Sequence, residues 1–496
     1  MVGPDFTQPT SDVEPAWTET APETTARAGT APDPRWWETF NDPVLSNLIE
    51  LAHRNNPTLQ QAGVAVLQAR AQLGIAQGQI YPQQQEVAGE LKYYRLDTDT
   101  FSRYGFPEQD LYIDQIALQA TWEIDFWGKY RRGIESDEAA LRSQIAAYDD
   151  ALISLSADVA NNYINIRTLQ QQLRVATANV EAQAENLRIA QASFELGATS
   201  LLDVFQAQTQ LAQTQSQVPD LQNSLAQTKY ALAVELGETP DKIDALLGPA
   251  RPLPEVPSLI ALGIPHDLLR RRPDIREAEA TAAAQSAAIG EAEANLYPSF
   301  SLAGTFGFGS SNVGSSSLTD IFMWDSRSLN LGASFVFPIF NYGRLINQVR
   351  VQDAVFQQAV LNYQNTVLTA QQEVEDGLSS LATSEQAVAL LQEATNASQQ
   401  STNLSLVQYK TGQTDYTTVL SAASTEYEVE DSLVQAQGNV LLSVVSIYRA
   451  LGGGWQVRDG IGFVSDELQH EMEERTDWGD MINEVEEIDI NQEKAE

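Results

Sequence analysis

The chain has 496 residues, no cysteine, three histidines and a formal net charge of −38. Without cysteine there is no disulfide, thiolate nucleophile or cysteine metal site. The negative charge argues against a broad nucleic-acid-binding surface. The histidines show no metal-ligand spacing, and no nucleophile–base set or phosphate loop is present. We therefore expect no cofactor, no metal and no enzyme activity.

The segment 1–41 is rich in proline, threonine and alanine, which predicts an extended N-terminal arm. Asp42 and Pro43 then open a short helix, because proline suits the first helical turn. A second helix starts at Pro57 and ends before Pro82.

Two strand-like stretches follow, at about 84–96 and 112–126. In the second, Ile116 and Leu118 lie on one face, whereas Gln115 and Gln119 lie on the other. Alternation of this kind fits a half-buried soluble sheet or a lipid-facing barrel wall, and by itself it favours the soluble sheet.

In the stretch after these strands, apolar residues recur with a strict period of seven residues for every two helical turns. Only Asn162 and Gln183 interrupt the apolar pattern over 141–194, which predicts a supercoiled helix over 129–194. Such a helix would be about 100 Å long. A glycine turn at Gly197 separates it from a second long helix, 199–236, which Pro219 should kink.

The second half of the chain repeats the landmarks of the first. The prolines at 57 and 82 recur at 273 and 298, and the glycines at 128, 197 and 237 recur at 343, 412 and 452. This nearly constant offset predicts an internal duplication, with repeats at 42–247 and 265–455 and a proline-rich linker at 248–264. The second repeat then supplies strands at about 299–309 and 329–340 and long helices at about 343–409 and 414–451. The stretch 456–496 reads as an acidic C-terminal tail, partly disordered.

The strands become membrane candidates when the whole chain is considered. Their lengths match a tilted bilayer crossing, and no apolar run is long enough for a transmembrane helix. Four aromatic residues lie where a membrane-interface girdle is expected: Tyr81, Trp122, Trp127 and Tyr297. Four strands cannot close a barrel, and lipid forbids an open edge, so the chain must oligomerise. A dimer would give eight strands and a trimer twelve.

Several motifs carry a resemblance to a known family. They are Val2-Gly3-Pro4-Asp5, Trp36-Trp37, Asn55-Asn56-Pro57, Arg271-Arg272-Pro273-Asp274, Pro338-Ile339-Phe340 and Tyr409-Lys410-Thr411-Gly412. With them the chain resembles the TolC-like outer-membrane efflux proteins of resistance-nodulation-division pumps, including drug exporters. This branch usually carries a lipidated cysteine just before the first motif, where Met1 stands here, and no signal peptide is recognisable.

The resemblance implies a mixed fold, an all-α coiled-coil barrel joined to a transmembrane β-barrel. A homotrimer would form a twelve-stranded β-barrel in the outer-membrane lipids of a Gram-negative bacterium. A twelve-helix periplasmic tunnel would continue it. The implied partners are a periplasmic adaptor and an inner-membrane pump, and the chain itself would be a passive duct gated at its periplasmic tip.

Candidate site residues lie around the two glycine turns. Those expected to dock the adaptor are Phe194, Gly197, Ser200, Leu201, Tyr409, Gly412 and Tyr416. Ordinary helix-turn-helix chemistry explains each of them equally well. The family often narrows its tunnel with aspartates after the second turn, where this chain has Thr418 and Ser421. The nearest acids, Asp203 and Asp415, are our hypothesis for a cation-preferring constriction.

Three alternatives stay open. The duct could serve type I protein secretion or metal-ion efflux, or the heptads could belong to a long coiled-coil structural protein or adhesin. The last alternative does not explain the amphipathic strands.

Overall fold

The computed structural model of the chain describes residues 1–11, 13, 17–18, 26–27, 33–95, 110–257, 260–261, 271–312, 317–458 and 461–482. The chain divides into two compact units. The first contains Met1–Pro9, Leu67–Ser143 and Ala278–Tyr363, and the second contains Thr10–Val66, Gln144–Glu277 and Gln364–Glu496. Most of the segment between the first two predicted strands and the end of the predicted linker lie outside the described residues.

The first unit holds a four-stranded antiparallel sheet in the order β1-β2-β3-β4. The strands are β1 (Gln84–Arg95), β2 (Asp110–Ile124), β3 (Ser299–Ser311) and β4 (Arg327–Val336). The sequence placed the end of the last strand at 340, but β4 stops at Val336. Pro338 follows and has no N–H to donate to a neighbouring strand.

Nine α-helices are described. They are α1 (Pro43–Asn55), α2 (Pro57–Gly78), α3 (Lys129–Glu195), α4 (Leu201–Glu235), α5 (Ile243–Leu247), α6 (Pro273–Ala294), α7 (Arg344–Lys410), α8 (Tyr416–Ala450) and α9 (Asp466–Arg475). Short 3-10 turns occur at Trp36–Phe40, Pro240–Lys242, Leu318–Phe322, Trp324–Ser326, Trp455–Arg458 and Gly479–Ile482. A parallel two-residue pair joins Ala26–Arg27 to Ile260–Ala261. Within the described parts of the chain, no helix combines the length and apolarity that crossing a bilayer needs.

Helices of the two sequence halves match in length. α3 and α7 have 67 residues each, α4 and α8 have 35 each, and α2 and α6 have 22 each. Local chemistry sets many of the boundaries. For example, the Asp42 side chain accepts a hydrogen bond from the Val44 N–H and Pro43 follows it, so α1 begins there.

The end of the predicted extended arm is folded, which corrects the boundary at residue 41. Trp36–Phe40 forms a 3-10 turn in the second unit, and Trp36, Trp37 and Phe40 are buried there. The Trp36 ring stacks on Tyr448 at a centroid distance of 5.2 Å. The prediction of an extended arm rested on the proline content of the segment. Burial of three large aromatic rings stabilises its end in the core.

The described part of the C-terminal segment 456–496, which the sequence predicts to be acidic and partly disordered, is also folded. The range 461–482 includes α9, and Phe463 is 6% exposed. Its ring packs edge-on against Tyr148 at 5.3 Å. A Cβ added at Gly63 would lie 1.9 Å from the Phe463 carbonyl oxygen, so the two backbones touch. Apolar anchors, rather than net charge, decide the fold of this segment.

Candidate functional site: paired helix turns and a two-faced sheet

The turn between α3 and α4 is closed by glycine. Gly197 has a φ of +70°, which an L side chain rarely adopts. Its N–H donates to the Phe194 carbonyl at 2.9 Å, and the Ala198 N–H donates to the Ser193 carbonyl at 2.9 Å. This pair of bonds satisfies the last carbonyls of α3 and stops the helix.

The turn between α7 and α8 has the same geometry. Gly412 has a φ of +71° and donates to the Tyr409 carbonyl at 3.0 Å. The Gln413 N–H donates to the Gln408 carbonyl at 2.8 Å. Both predicted glycines therefore act as helix-ending residues, and in the described part of the chain neither has a neighbour within 4 Å of an added Cβ.

Hydroxyl and carboxylate side chains start the helices after the turns. Ser200 accepts from the Leu202 N–H at 3.2 Å. Asp415 accepts from the Thr418 N–H at 3.1 Å and from the hydroxyls of Thr417 and Thr418 at 2.7 and 2.9 Å. These bonds, from Thr417 first, hold the pKa of Asp415 below its usual value. Asp415 is thus a charged helix cap.

A small core, the tip cluster, lies beside the turns in the second unit. Its members are Ala190, Ala207, Tyr409, Tyr416 and Val419. The two tyrosine rings meet edge-on at a centroid distance of 5.4 Å. The Tyr409 hydroxyl donates to Asp203 at 3.2 Å, which joins the two helix pairs. Burial raises the pKa of Tyr416 to about 12, so this phenol stays neutral.

The expected docking residues divide into exposed and buried ones. Phe194 and Leu201 are 42% and 47% exposed, as a contact surface requires. Tyr409 and Tyr416 are only 6% and 2% exposed, which corrects their placement on the surface. They support the turns from inside because their rings fill the space between the helices.

Three exposed apolar residues near the first turn were not singled out from the sequence. Leu196, Leu202 and Phe205 are 85%, 62% and 56% exposed. The sequence signal that could have identified them is their type and position: they are large apolar residues next to a glycine turn and outside the heptad positions. With Phe194 and Leu201 they form what we call the apolar rim.

The constriction candidates do not gather into one carboxylate cluster in the described chain. Asp203 accepts from Tyr409 and from the Ser200 hydroxyl at 3.3 Å, whereas Asp415 caps α8. Thr418 and Ser421 line a shallow groove of about 470 Å³ together with other hydroxyl residues: Ser398, Ser401, Thr417 and Thr425. Among the described residues, no group of three or more histidine and carboxylate side chains is placed to hold a metal ion.

The sheet of the first unit has two chemically distinct faces. Val87 pairs with Leu118, Leu118 with Phe306, and Phe306 with Leu329, which makes an apolar row across all four strands. The neighbouring residues make a polar row on the opposite face: Glu86, Gln119, Thr305 and Asn330. The four apolar side chains are 40–69% exposed. An exposed apolar face of this extent requires an apolar environment.

The four predicted interface aromatics lie near one end of this sheet, where β1 and β3 begin and β2 ends. The Trp127 Nε1–H donates to the Pro298 carbonyl at 2.8 Å, and its ring stacks on Tyr297 at 4.6 Å. Trp122 donates to the Ile80 carbonyl at 3.0 Å, and the adjacent Tyr81 is 67% exposed. The structure therefore forms two aromatic sites beside the sheet, one at Trp127 and Tyr297 and one at Trp122 and Tyr81.

Comparison with known proteins agrees with this geometry. The profile of the family described as outer membrane efflux protein matches residues 48–238 and 264–453. The chain belongs to this family. The pyoverdine export outer membrane protein OpmQ of Pseudomonas putida is 31% identical over 459 residues, 91% of this chain and 94% of that one. The toluene efflux pump outer membrane protein TtgI of Pseudomonas putida is 31% identical over 468 residues, 92% and 95% of the two chains.

Solved structures show the same fold. The outer-membrane channel OprN matches with a TM-score of 0.81 and 28% identity, covering 92% of this chain and 99% of its own. The Campylobacter jejuni CmeC channel matches with a TM-score of 0.84 at 23% identity, covering 95% and 98% of the two chains. This efflux protein is therefore an exit duct of the Gram-negative outer membrane, in a channel family and not an enzyme family. Membership of this family rules out the alternative of a coiled-coil structural protein or adhesin. Proteins of this family work in tripartite pumps with an adaptor and an inner-membrane pump.

Proposed function

We propose that three copies of the chain form one passive, gated duct. Each copy contributes β1–β4 to a twelve-stranded barrel and α3, α4, α7 and α8 to a twelve-helix periplasmic tunnel. The observation that carries the proposal is the sheet itself. Within the described residues, β1 and β4 pair on one side only, and the sheet bears an exposed apolar row.

Physical constraints favour three copies over two. Lipid does not tolerate unpaired backbone groups, so β1 of one copy must pair with β4 of another. Two copies give eight strands, and an eight-stranded barrel is about filled by its own side chains. Three copies give twelve strands and leave room for a lumen. The polar row with Glu86 and Gln119 then faces the lumen, and the apolar row with Leu118 and Phe306 faces outer-membrane lipid.

The matched halves of the chain support an internal duplication. Equal lengths of α3 and α7, and of α4 and α8, together with two separate family matches, favour repeats at 42–247 and 265–455 joined by 248–264. The duplication gives each copy two strand pairs and two helix pairs. A lipidated native N-terminus stays a prediction of the resemblance.

The turns are the proposed gate and docking surface. The hydrogen bond between Tyr409 and Asp203 ties the two helix pairs of one copy together and favours a closed tip. The apolar rim offers side chains that a periplasmic adaptor can bury. Asp203 and Asp415, with Thr418 and Ser421 nearby, are proposed to give the constriction a preference for cations.

The cargo is proposed to consist of small organic molecules, driven by a resistance-nodulation-division pump. Support comes from the relatives named for pyoverdine export and for toluene efflux. Type I protein secretion and metal-ion efflux remain the alternatives. Cells that lack the duct should accumulate an organic dye if the cargo is a small organic molecule. They should accumulate a metal cation if the duct serves metal-ion efflux, and a secreted protein if it serves type I secretion.

The mass of the detergent-solubilised complex tests the assembly. Three copies of a 54.4 kDa chain are expected in native mass spectrometry. A cysteine introduced in β1 and another in β4 should crosslink between copies, because the chain has no cysteine of its own. A complex of two copies, or a stable single copy in detergent, would contradict the proposed barrel.

A further inference from the structure

Glu235 bonds the C-terminal end of α4 to two other helices through its side chain and its backbone carbonyl. Its Oε1 accepts a hydrogen bond from the Asn162 side chain of α3 at 2.6 Å. Its carbonyl accepts from the Asn56 side chain at 2.8 Å, and Asn56 also caps α2 by accepting from Leu59 N–H. We call Asn56, Asp158, Asn162 and Glu235 the Glu235 junction, because it ties α4 to α3 and to the start of α2.

The surroundings of the Glu235 carboxyl group stabilise a negative charge poorly. Oε2 is buried and has no hydrogen-bond partner among the described residues. Asp158 lies one turn before Asn162 on α3 and presents a like charge. Burial first, and then Asp158, raise the pKa of Glu235 to about 7, although the bond from Asn162 opposes the shift. The neutral carboxyl therefore suits this site better than the carboxylate.

The other charges around the junction do not compensate Glu235. From α8, Arg449 lies 3.7 Å from Asp158. From α1, His53 shares a hydrogen bond with Ser156, and burial lowers its pKa to about 4, so it is neutral at pH 6 and above. After α4, Glu238 pairs with Lys242 at 2.7 Å. Within the described chain, no cation is bonded to Glu235.

The corresponding place in the second half is built differently. At the offset of the duplication, the counterparts of Asn56, Asp158, Asn162 and Glu235 are Arg272, Glu373, Gly377 and Ala450. Arg272 donates to the Ala450 carbonyl at 2.6 Å, so the end of α8 is tied as the end of α4 is. Its guanidinium also binds Asp274 at 2.8 Å and Glu373 at 2.7 Å. A permanent cation thus holds this second place, which we call the Arg272 junction.

Other titratable groups also lie near the Arg272 junction: burial first, and then Asp150 and Asp274, raise the pKa of Glu277. Burial raises the pKa of Asp150 to about 6, with Asp274 adding to the shift and Arg272 and Arg449 opposing it. The guanidinium of Arg272 stays charged whatever the protonation state of Asp150, because arginine does not titrate in this range.

We propose that the Glu235 junction is a proton-dependent joint. Protonated Glu235 holds the end of α4 against α3 and α2, and its ionisation releases this end, whereas the Arg272 junction holds α8 in both states. The two halves of the chain then respond differently to periplasmic pH.

The direction follows from proton linkage. The folded site binds a proton more tightly than an open, solvated carboxyl group. The stabilisation is complete below the ordinary carboxyl pKa, and it is lost as pH rises through about 7. With an open-state pKa of about 4.5, the open population at the end of α4 should rise about tenfold between pH 6 and pH 8.

Hydrogen exchange of the detergent-solubilised full chain, followed by mass spectrometry at pH 6 and pH 8, tests the joint. After correction for the intrinsic rate of amide exchange, the exchange rate of peptides covering 229–236 should rise about tenfold from pH 6 to pH 8. Peptides covering 444–451 should change by at most about twofold. Glu235→Gln keeps an oxygen acceptor for Asn162 but cannot ionise, so the rise should disappear. Asp150→Asn is the matched control and should leave it intact.

Asp158→Asn is a second variant whose side chain is half exposed, so folding is not at risk. Removing this like charge should move the midpoint of the exchange transition to lower pH. The proposal is overturned if wild-type protection at the end of α4 is the same at both pH values. It is also overturned if Glu235→Gln keeps the rise, or if Asp158→Asn leaves the midpoint unchanged.

Discussion

The Tyr409 hydroxyl donates a hydrogen bond to the Asp203 carboxylate at 3.2 Å, although the two residues belong to different halves of the sequence. Tyr409 lies in the last turn of α7, and Asp203 lies in the first turn of α4. This single bond connects the two glycine turns of one chain.

Tyr409→Phe should loosen the turns. The variant keeps the ring in the tip cluster and removes only the hydroxyl, so it loses about 1 kcal/mol, or about fivefold in an opening equilibrium. We expect a larger open fraction in planar-bilayer recordings. Tyr416→Phe is the control, because the Tyr416 hydroxyl has no hydrogen-bond partner in the described residues. Equal open fractions in both variants and the wild type would show that this bond does not restrain the tip.

Asp203→Ala and Asp415→Ala test the constriction. In the proposed trimer, three copies of each carboxylate near the tip should attract cations, so their removal should lower the cation-to-anion permeability ratio. Reversal potentials across a salt gradient measure this ratio. Asp415→Ala should also destabilise the start of α8 by about 1 kcal/mol, because Asp415 caps that helix. Unchanged selectivity in both variants would remove these residues from the constriction.

Leu118→Arg and Gln119→Arg test which face of the sheet meets lipid. The two residues are neighbours in β2 and point to opposite faces. An arginine on the lipid face of a barrel costs about 2–4 kcal/mol near the bilayer centre, whereas a lumen position tolerates it. We expect Leu118→Arg alone to lower the yield of outer-membrane insertion. The opposite ranking would invert the assignment of the faces.

Gly290→Ala and Gly74→Ala compare matched positions of α6 and α2 in the two repeats. A Cβ at Gly290 would lie 2.8 Å from the Val2 carbonyl oxygen and 2.9 Å from the Arg132 side chain. Among the described residues, no atom lies within 4 Å of a Cβ added at Gly74. Gly290→Ala should therefore destabilise the first unit by about 1–3 kcal/mol. Gly74→Ala should stabilise α2 by about 0.5–1 kcal/mol. Thermal unfolding in detergent compares them, and an unchanged stability in Gly290→Ala would contradict the close contact with Val2.

Local chemistry made the helix boundaries predictable. Proline at 57 and 273 and glycine at 197 and 412 determine where helices start and stop through their own backbone preferences, so no neighbour had to be known. Alternation in β2 likewise predicted which of its residues share a face. The apolar row from Val87 to Leu329 needed the pairing register as well.

Contacts between distant segments were not predictable. The bond from Tyr409 to Asp203, the burial of Phe463 against Gly63 and the bond from Asn162 to Glu235 all depend on how helices pack. The heptad pattern marked Asn162 as an interruption, but it did not reveal the carboxyl group opposite. The charge of the C-terminal segment did not indicate which part of it folds, because a few apolar side chains such as Phe463 anchor that part.

Single-channel recording of the purified wild-type chain in a planar bilayer tests the central claim most directly. We expect discrete current steps from the wild-type channel, and we expect the channel to be open for a larger fraction of the time in Tyr409→Phe. A protein that inserts as an intact complex, yet carries no current in either form, would contradict the assignment as a duct.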